Sequence, residues 1–274
     1  MSKTVLITGA TGNLGAKISA HLAANGYNLR LICLNPAGRQ DVITADLTRY
    51  DNSWARVFAG VDVVIHLAGE ARPTANWDTV LPLNITLLLN VFEAVRQYGG
   101  NKMIFASSNW VMAGYRFSTE KITTKLPPRP INPYGISKLF GERAGESWVR
   151  TNPQSDIRSF VAFRIGYCQA DDNRPGPHMS MGQWGQEMWL SNRDFTHAIE
   201  LAVESNSGFT VLNLMSAYPG MRWDIDETSN IIGYMPQDGH VAQVTEAMRE
   251  REIVMRAERE LITLVEGLAG SRDW

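Results

Sequence analysis

A chain of 274 residues with 44% hydrophobic and 20% charged residues has enough apolar material for one large α/β domain, or for a principal domain with a small appendage. A formal charge of -2 excludes the electrostatic footprint of a nucleic-acid or anionic-membrane binder and leaves a small soluble molecule as the expected ligand. The opening run MSKTVLITGATG lacks the apolar core of a secretory signal, and no later stretch reads as uncharged and apolar for bilayer length, so a cytoplasmic protein is expected. Cys33 and Cys168 lie in apolar, strand-like contexts without a CxxC or Cys/His cluster, which predicts reduced buried thiols and neither a disulfide framework nor a metal site.

In chain order, apolar runs alternate with amphipathic segments. TVLIT (4–8) precedes a helix over Asn13–Asn25, then come LRLIC (29–33) and VDVVIHLAG (61–69). A helix over Asp78–Tyr98 leads to KMIFASS (102–108), and a helix over Pro133–Arg150 leads to IRSFVAFRIG (157–166). This alternation predicts a doubly wound parallel sheet of the Rossmann type, covered by helices on both faces. After Gly166 the run ADDNRPGPHMSMGQWG loses periodicity and reads as a loop or lid. A helix and the strand FTVLNL (209–214) then return to the sheet. DIDETSNIIGYMPQD reads as a helix and turn, and 241–268 as one or two amphipathic helices with a solvated charged face, an oligomer contact being the other reading. The expected division is a dinucleotide-binding domain at 1–166, rejoined by 190–215, with a substrate-binding lid at 167–189 and a C-terminal helical region at 216–274.

Directly after the first strand stands Thr8-Gly9-Ala10-Thr11-Gly12-Asn13-Leu14-Gly15. Between a strand and a helix, such glycines allow a tight turn, close backbone approach and helix-to-strand packing, while free amides at the helix start hold a pyrophosphate. A purely structural glycine turn is the alternative. The second strand ends at Cys33, where an NAD site ordinarily has an acid for the ribose hydroxyls, and Asn35 and Arg39 follow. That pairing leans toward NADP over NAD. Asp46, with Leu47 beside it, fits either an adenine-side contact or an ordinary cap, and the turn Leu67-Ala68-Gly69 should pass beside the cofactor.

In NPYGISK, Tyr134 and Lys138 lie four apart and share a helix face, so the ammonium can lower the phenol's pKa from about 10 and make it a general base. Pro133 suits the first helical turn. The spacing alone occurs by chance in many helices, but the fifth strand ends in Ser107-Ser108-Asn109 at the edge where the cofactor should lie.

TGATGNLG, HLAG, FASSN, NPYGISK and FRIG, in this order over about the first two thirds of the chain, resemble the short-chain dehydrogenase/reductase superfamily in its extended branch of nucleotide-sugar epimerases and dehydratases. The resemblance implies an NAD(P) enzyme with Tyr134 as acid/base, Ser108 polarising the reacting oxygen, and Lys138 tuning the phenol and holding the nicotinamide ribose. It also implies Asn84 as a helix-distorting residue near that lysine, and Ile165 of FRIG at the cofactor. Ser107 becomes a neighbouring strand-end residue. A homodimer is expected, because the family often pairs the helices after its fourth and fifth strands.

The runs HLAGEARPTANWDTVLPLNI, FASSNWVMAGY, RPINPYGISKLFGE, EMWLSNRDF and IIGYMPQD resemble the branch of uronate dehydrogenases and related glucose-6-phosphate dehydrogenases. This implies oxidation of an anomeric C1 hydroxyl to a lactone in a small, anionic sugar. Candidate cations are Arg72 and Arg174, with His178 nearby; each also reads as a solvated surface base. Trp184 stands where the branch has an arginine, and Trp110 where it has a histidine. Both tryptophans are candidates to stack on a sugar or to pack the core, and Asn109 is a candidate for a substrate hydroxyl. Trp189 and His66 read as structural. An epimerase or dehydratase that returns its hydride, and a non-catalytic dinucleotide sensor, are the alternative functions.

Overall fold

A computed structural model describes residues 2–151 and 158–270, with side chains as far as 260. Ile157, expected in the sixth strand, and 271–274 lie outside the described residues, as does the side-chain pattern expected for 261–268. Short β-branched and aromatic runs form β1 (Thr4–Thr8), β2 (Asn28–Cys33), β3 (Val42–Thr44), β4 (Val63–His66), β5 (Lys102–Ser108), β6 (Ser159–Ile165) and β7 (Phe209–Leu214). All pair parallel in the order β3-β2-β1-β4-β5-β6-β7, a doubly wound sheet whose order reverses between β1 and β4. The helices are α1 (Asn13–Ala24), α2 (Asn52–Ala55), α3 (Trp77–Val80), α4 (Leu87–Tyr98), α5 (Pro133–Arg150), α6 (Gly182–Glu187), α7 (Asn192–Glu204), α8 (Asp226–Ile232) and α9 (Glu246–Gly270).

The strands read as continuous apolar runs because both faces are covered; every residue of β4, β5 and β6 is buried. On one face Ile18 and Leu22 of α1 and Phe195, Ile199 and Val203 of α7 pack on Val5, Ile7, Ile104 and Phe163. On the other, Trp54, Phe58 and the α4 residues Leu88, Val91 and Val95 pack on Leu6, Val64, Met103 and Phe160.

The helix expected over Asp78–Tyr98 is three pieces, because a π-helical turn, Leu81–Thr86, separates α3 from α4. By length and composition Trp77–Tyr98 passes as long and apolar enough to cross a membrane, its most apolar window having a mean hydropathy of 1.3, but it carries Asp78, Glu93 and Arg96, so it is not the uncharged stretch whose absence the sequence predicts. Leu87, Leu88, Val91, Ala94 and Val95 face the sheet core, whereas Trp77, Leu81 and Leu89 are exposed.

The aperiodic stretch after Gly166 is mostly loop, crossed by a bridge between Tyr167 and Trp189 and by α6. A third apolar cluster forms beside the carboxyl edge of the sheet from Val111, Met112, Tyr115, Ile122, Trp184, Met188, Met215 and Trp223. The fully buried Asp194 of α7 fastens the later segment, accepting from Ser216 Oγ at 2.5 Å, Gln237 N at 2.7 Å and Asp238 N at 3.2 Å. The run 241–268 gives one helix that begins at Glu246.

Candidate active site

The glycines of the first turn are dictated by space. Gly9 has φ +70°, and a Cβ there would stand 2.8 Å from the Ala68 amide nitrogen; a Cβ at Gly15 would stand 2.1 Å from the Gly9 carbonyl oxygen. Gly12 donates its N–H to Gly9 O at 3.0 Å and occupies the N-cap position of α1 with no side-chain cap. The amides of Asn13, Leu14 and Gly15 therefore open the helix with its positive dipole end, an arrangement that fits a pyrophosphate. At the strand crossover the Thr8 hydroxyl lies 3.2 Å from the amides of both Leu67 and Ala68 and 2.8 Å from His66 Nδ1. Its lone pairs take the two amides, so its proton goes to His66 and fixes that ring as the neutral tautomer protonated on Nε2. Burial, aided by the charge of Lys138, lowers His66 to about 3.

Arg39, the cation on which a 2′-phosphate would depend, is engaged. Arg39 is held by Asp41 through Nε at 3.0 Å and a terminal nitrogen at 2.6 Å. Thr11 donates to Asn35 O at 2.7 Å beside Cys33 Sγ, while Asn35 Oδ1 accepts from Ala37 N at 2.9 Å. Asp46 caps its own turn, accepting from Thr48 N at 3.0 Å and Thr48 Oγ1 at 2.7 Å, and Leu47 is buried. Asn13 reaches the loop after β6, donating to Cys168 O at 2.9 Å.

The α5 helix starts where Asn132 Oδ1 accepts from Gly135 N at 2.7 Å with Pro133 at the first position, so Tyr134 falls on a fixed first turn. Ser108 ends β5, accepts from Trp110 N at 3.2 Å, and lies near enough to the Tyr134 phenol to favour its ionised form. Lys138 Nζ lies 5.6 Å from the Tyr134 ring centre and 5.3 Å from that of Phe105, and burial lowers it to about 8. The three side chains expected to act together are thus side by side and buried.

One expectation needs correction. The Tyr134 phenol is not lowered but raised above its ordinary value: burial is the largest cause, Ser108 opposes it, and the Glu70 carboxylate adds to it. Spacing on a helix face reveals the lysine but not the desolvation, which here sets the direction of the shift.

Asn84 sits buried in the π turn and bridges two elements. Its Oδ1 accepts from Glu70 N at 2.7 Å, and its Nδ2 donates to Ser137 Oγ at 2.9 Å, while Ser137 Oγ donates to Tyr134 O at 2.7 Å. Asn132 Nδ2 donates to Pro73 O at 2.9 Å. Two asparagines therefore fasten the loop after β4 to the first turns of α5.

Beneath Lys138 lies a buried ion pair absent from the sequence reading. Arg164 Nε and a terminal nitrogen donate to the two oxygens of Glu142, each at 2.9 Å, and Ser107 donates to the same carboxylate at 2.6 Å. A signal existed: Glu142 is the next position after Tyr134 and Lys138 at a spacing of four, and Arg164 is a charge inside an apolar strand.

The expected substrate contacts divide. Trp184 does not face a site: it is 2% exposed, its ring centre is 5.3 Å from that of Trp223, and Arg222 covers it at 4.9 Å. Its indole is core packing, which sequence position could not distinguish from stacking. Asn109 is buried and donates to Ile165 O at 2.9 Å, tying the ends of β5 and β6 together. Trp110 is partly exposed one residue from Asn109. Arg72 is 74% exposed and pairs with Glu70 at 2.7 Å; Arg174 is 81% exposed and pairs with Asp172 at 2.8 Å, and His178 is exposed.

A parallel sheet of this order, with a glycine loop at its reversal point and Ser108, Tyr134 and Lys138 buried at its carboxyl edge, is a Rossmann-type α/β fold. The chain belongs to the NAD dependent epimerase/dehydratase family, whose model matches residues 5–166. It is 33% identical over 258 residues to an NAD-dependent glucose-6-phosphate dehydrogenase of Haloferax volcanii, covering 87% of this chain and 94% of that one. It is 32% identical to a uronate dehydrogenase of Pseudomonas putida, covering 85% and 84%. It is also 29% identical to an L-arabinose 1-dehydrogenase (NAD(P)(+)) of Haloferax volcanii, covering 88% and 98%. Among solved structures, the glucuronic acid dehydrogenase of Chromohalobacter salexigens is 29% identical with a TM-score of 0.73, covering 92% of this chain and 88% of that one.

Proposed function

We propose that the protein is an NAD(P)-dependent dehydrogenase that oxidises a hydroxyl of a small sugar, at the anomeric C1, to a lactone. The observation that carries the reading is the buried Ser108, Tyr134 and Lys138 together, Lys138 Nζ lying 5.6 Å from the Tyr134 ring centre, at the strand edge next to the Gly9–Gly15 loop. Relatives named as sugar dehydrogenases over most of their length support it. In this reading residues 1–166 and 190–215 hold the dinucleotide, and 167–189 and the region from 216 cover the substrate.

The backbone amides at the start of α1 and the Leu67-Ala68-Gly69 turn would hold the dinucleotide, with Lys138 on its nicotinamide ribose. When bound, the oxidised nicotinamide supplies the hydride acceptor and one positive charge. Ser108 donates a hydrogen bond to the reacting oxygen, and Tyr134 as phenolate takes its proton as the hydride leaves C1; the C–H and O–H bonds break and the carbonyl of the lactone forms. Lys138, at about 8, keeps an ammonium near the phenolate at neutral pH. NAD is the first cofactor to test, because the Arg39–Asp41 pair occupies the cation on which the lean to NADP rested.

Incubating enzyme, cofactor and a panel of pentoses, hexoses, uronates and sugar phosphates tests the reading. Net growth of the reduced-nicotinamide band is the expected result, with Tyr134→Phe retaining cofactor binding and losing turnover by about 10²–10⁴. A product formed without net reduction would instead mark an epimerase or dehydratase, and unchanged turnover in the phenylalanine variant would remove Tyr134 from the mechanism. We also propose a cytoplasmic homodimer. Exposed Trp77, Leu81 and Leu89 on the α3–α4 side and Ile136 and Phe140 on α5 support pairing through these helices.

A further inference from the structure

The α5 helix lies against β5 and β6 without spacing side chains: a Cβ at Gly141 would run into the ring of Phe105, and one at Gly145 into that of Phe160. Such contacts set how close the helix comes, but an apolar ring against a glycine is not directional and leaves the helix free to slide or turn over the sheet. The directional contacts are gathered in one place. Arg164 of β6 donates through Nε and one terminal nitrogen to the two oxygens of Glu142, each at 2.9 Å, and Ser107 Oγ donates to Glu142 Oε1 at 2.6 Å. The other terminal nitrogen of Arg164 lies 3.2 Å from Met112 Sδ, in the short helical segment Asn109–Tyr115 that follows Ser108.

These partners adjoin the reacting groups. Ser107 precedes Ser108 at the end of β5, and Glu142 stands one turn beyond Lys138 and two beyond Tyr134 on the same face of α5. One β6 side chain therefore touches both the helix that carries Tyr134 and Lys138 and the segment that leaves Ser108. A fork of two parallel N–H···O bonds fixes distance and angle together, which a point charge does not. Stability does not explain the pair: Glu142 and Arg164 are 1% and 3% exposed, and apolar residues of similar volume in such a place are often as stable or more so. A fixed register is the best-attested use of charges buried in this way. The two charges offset one another, so what the cluster adds at Tyr134 is geometry rather than a net field.

We propose that Ser107, Glu142 and Arg164 are positioning residues: together they set the register of α5 against the end of β5, and with it the approach of Tyr134 and Lys138 to Ser108, and they act on the reaction only through those three side chains. The proposal rests on the dehydrogenase reading, in which Ser108, Tyr134 and Lys138 carry the chemistry. A displacement of about 1 Å in such a constellation can cost on the order of 10²-fold in rate.

The test sets kinetics beside unfolding in the same variants, with NAD and the sugar that the wild type oxidises fastest. The Glu142→Met, Arg164→Met double variant keeps volume and removes the fork. Its urea midpoint should come close to that of the wild type while kcat falls at least fivefold and NADH binding, followed by fluorescence, stays within twofold. A merely structural pair would return kcat together with stability. Ser107→Ala removes one hydroxyl and, assayed well below its melting temperature, should lower kcat at least twofold with the same unchanged NADH binding. A stable double variant that loses less than fivefold in kcat, or a Ser107→Ala variant that loses less than twofold, overturns the proposal. The serine variant decides alone if the double variant does not fold or stays unstable. A wild type that reduces NAD with no sugar overturns the dehydrogenase reading itself, and this proposal with it, whereas failure of the proposal alone leaves wild-type reduction intact.

Discussion

Tyr134 behaves differently from what its spacing to Lys138 alone predicts. Its phenol is buried, and desolvation, with the Glu70 carboxylate adding to it, raises its ionisation above the ordinary value. A difference titration of phenolate absorbance between wild type and Tyr134→Phe should show no ionisation of this residue below pH 10. Added NAD should bring it down, because a positive charge near a phenol favours the phenolate. Ionisation below 10 without cofactor would contradict the burial argument. The identities of Ser108, Tyr134 and Lys138 were legible from the sequence because their motifs sit at fixed distances from strand ends. Their electrostatics were not, since desolvation depends on residues as distant as Glu70. Trp184 stayed open between stacking and packing because a tryptophan reads alike in sequence whether Trp223 covers it or a ligand does.

At the scale of elements, six of the seven strands were readable as apolar runs, and only the three-residue β3 is too short to carry a period. The bounds of α5 were legible at both ends because Asn132 and Pro133 mark its start chemically. The π turn at Leu81–Thr86 was not, because a widened turn keeps the same apolar spacing on either side. The α5 helix is also held to β6 by the Glu142–Arg164 pair, whose side chains are 1% and 3% exposed. Removing one partner leaves the other charge buried and unpaired. Glu142→Ala should therefore lower stability by about 3–5 kcal/mol in denaturant unfolding, and a Glu142→Met, Arg164→Met double variant should recover most of the loss. A double variant no more stable than the single would mean that the pair does more than offset its own desolvation.

For the whole molecule, the order of the sheet decides where the site forms, and it also sets a pH limit on folding. His66 at the β1–β4 crossover is fully buried and neutral, with a folded value of about 3 against about 6.5 when unfolded. A depressed folded pKa gives stability that is present above 6.5 and lost as pH falls through 3, because only the unfolded chain takes up the proton in that window. Melting temperature should decline from pH 6.5 downward, before the carboxylates act. Glu93, lowered to about 2 by Arg96 and Gln97, adds to the decline only below about 4.5, and being exposed adds little. A His66→Asn variant should lose most of the decline between pH 6.5 and 4.5, His240, also lowered by burial, keeping a small part; a wild-type slope surviving in it would assign the effect elsewhere.

The two asparagine bridges have a meaning for anyone who would retarget this scaffold. The loop from Glu70 to Pro73 takes its position from Asn84 in the π turn and Asn132 at the head of α5 rather than from its own sequence. A loop transplanted from a relative without its matching anchors would carry new side chains on a backbone with nothing to aim it. The transferable unit is discontinuous, one short loop and two amides, and libraries built across that set would sample ordered loops where randomising the loop alone would sample disorder.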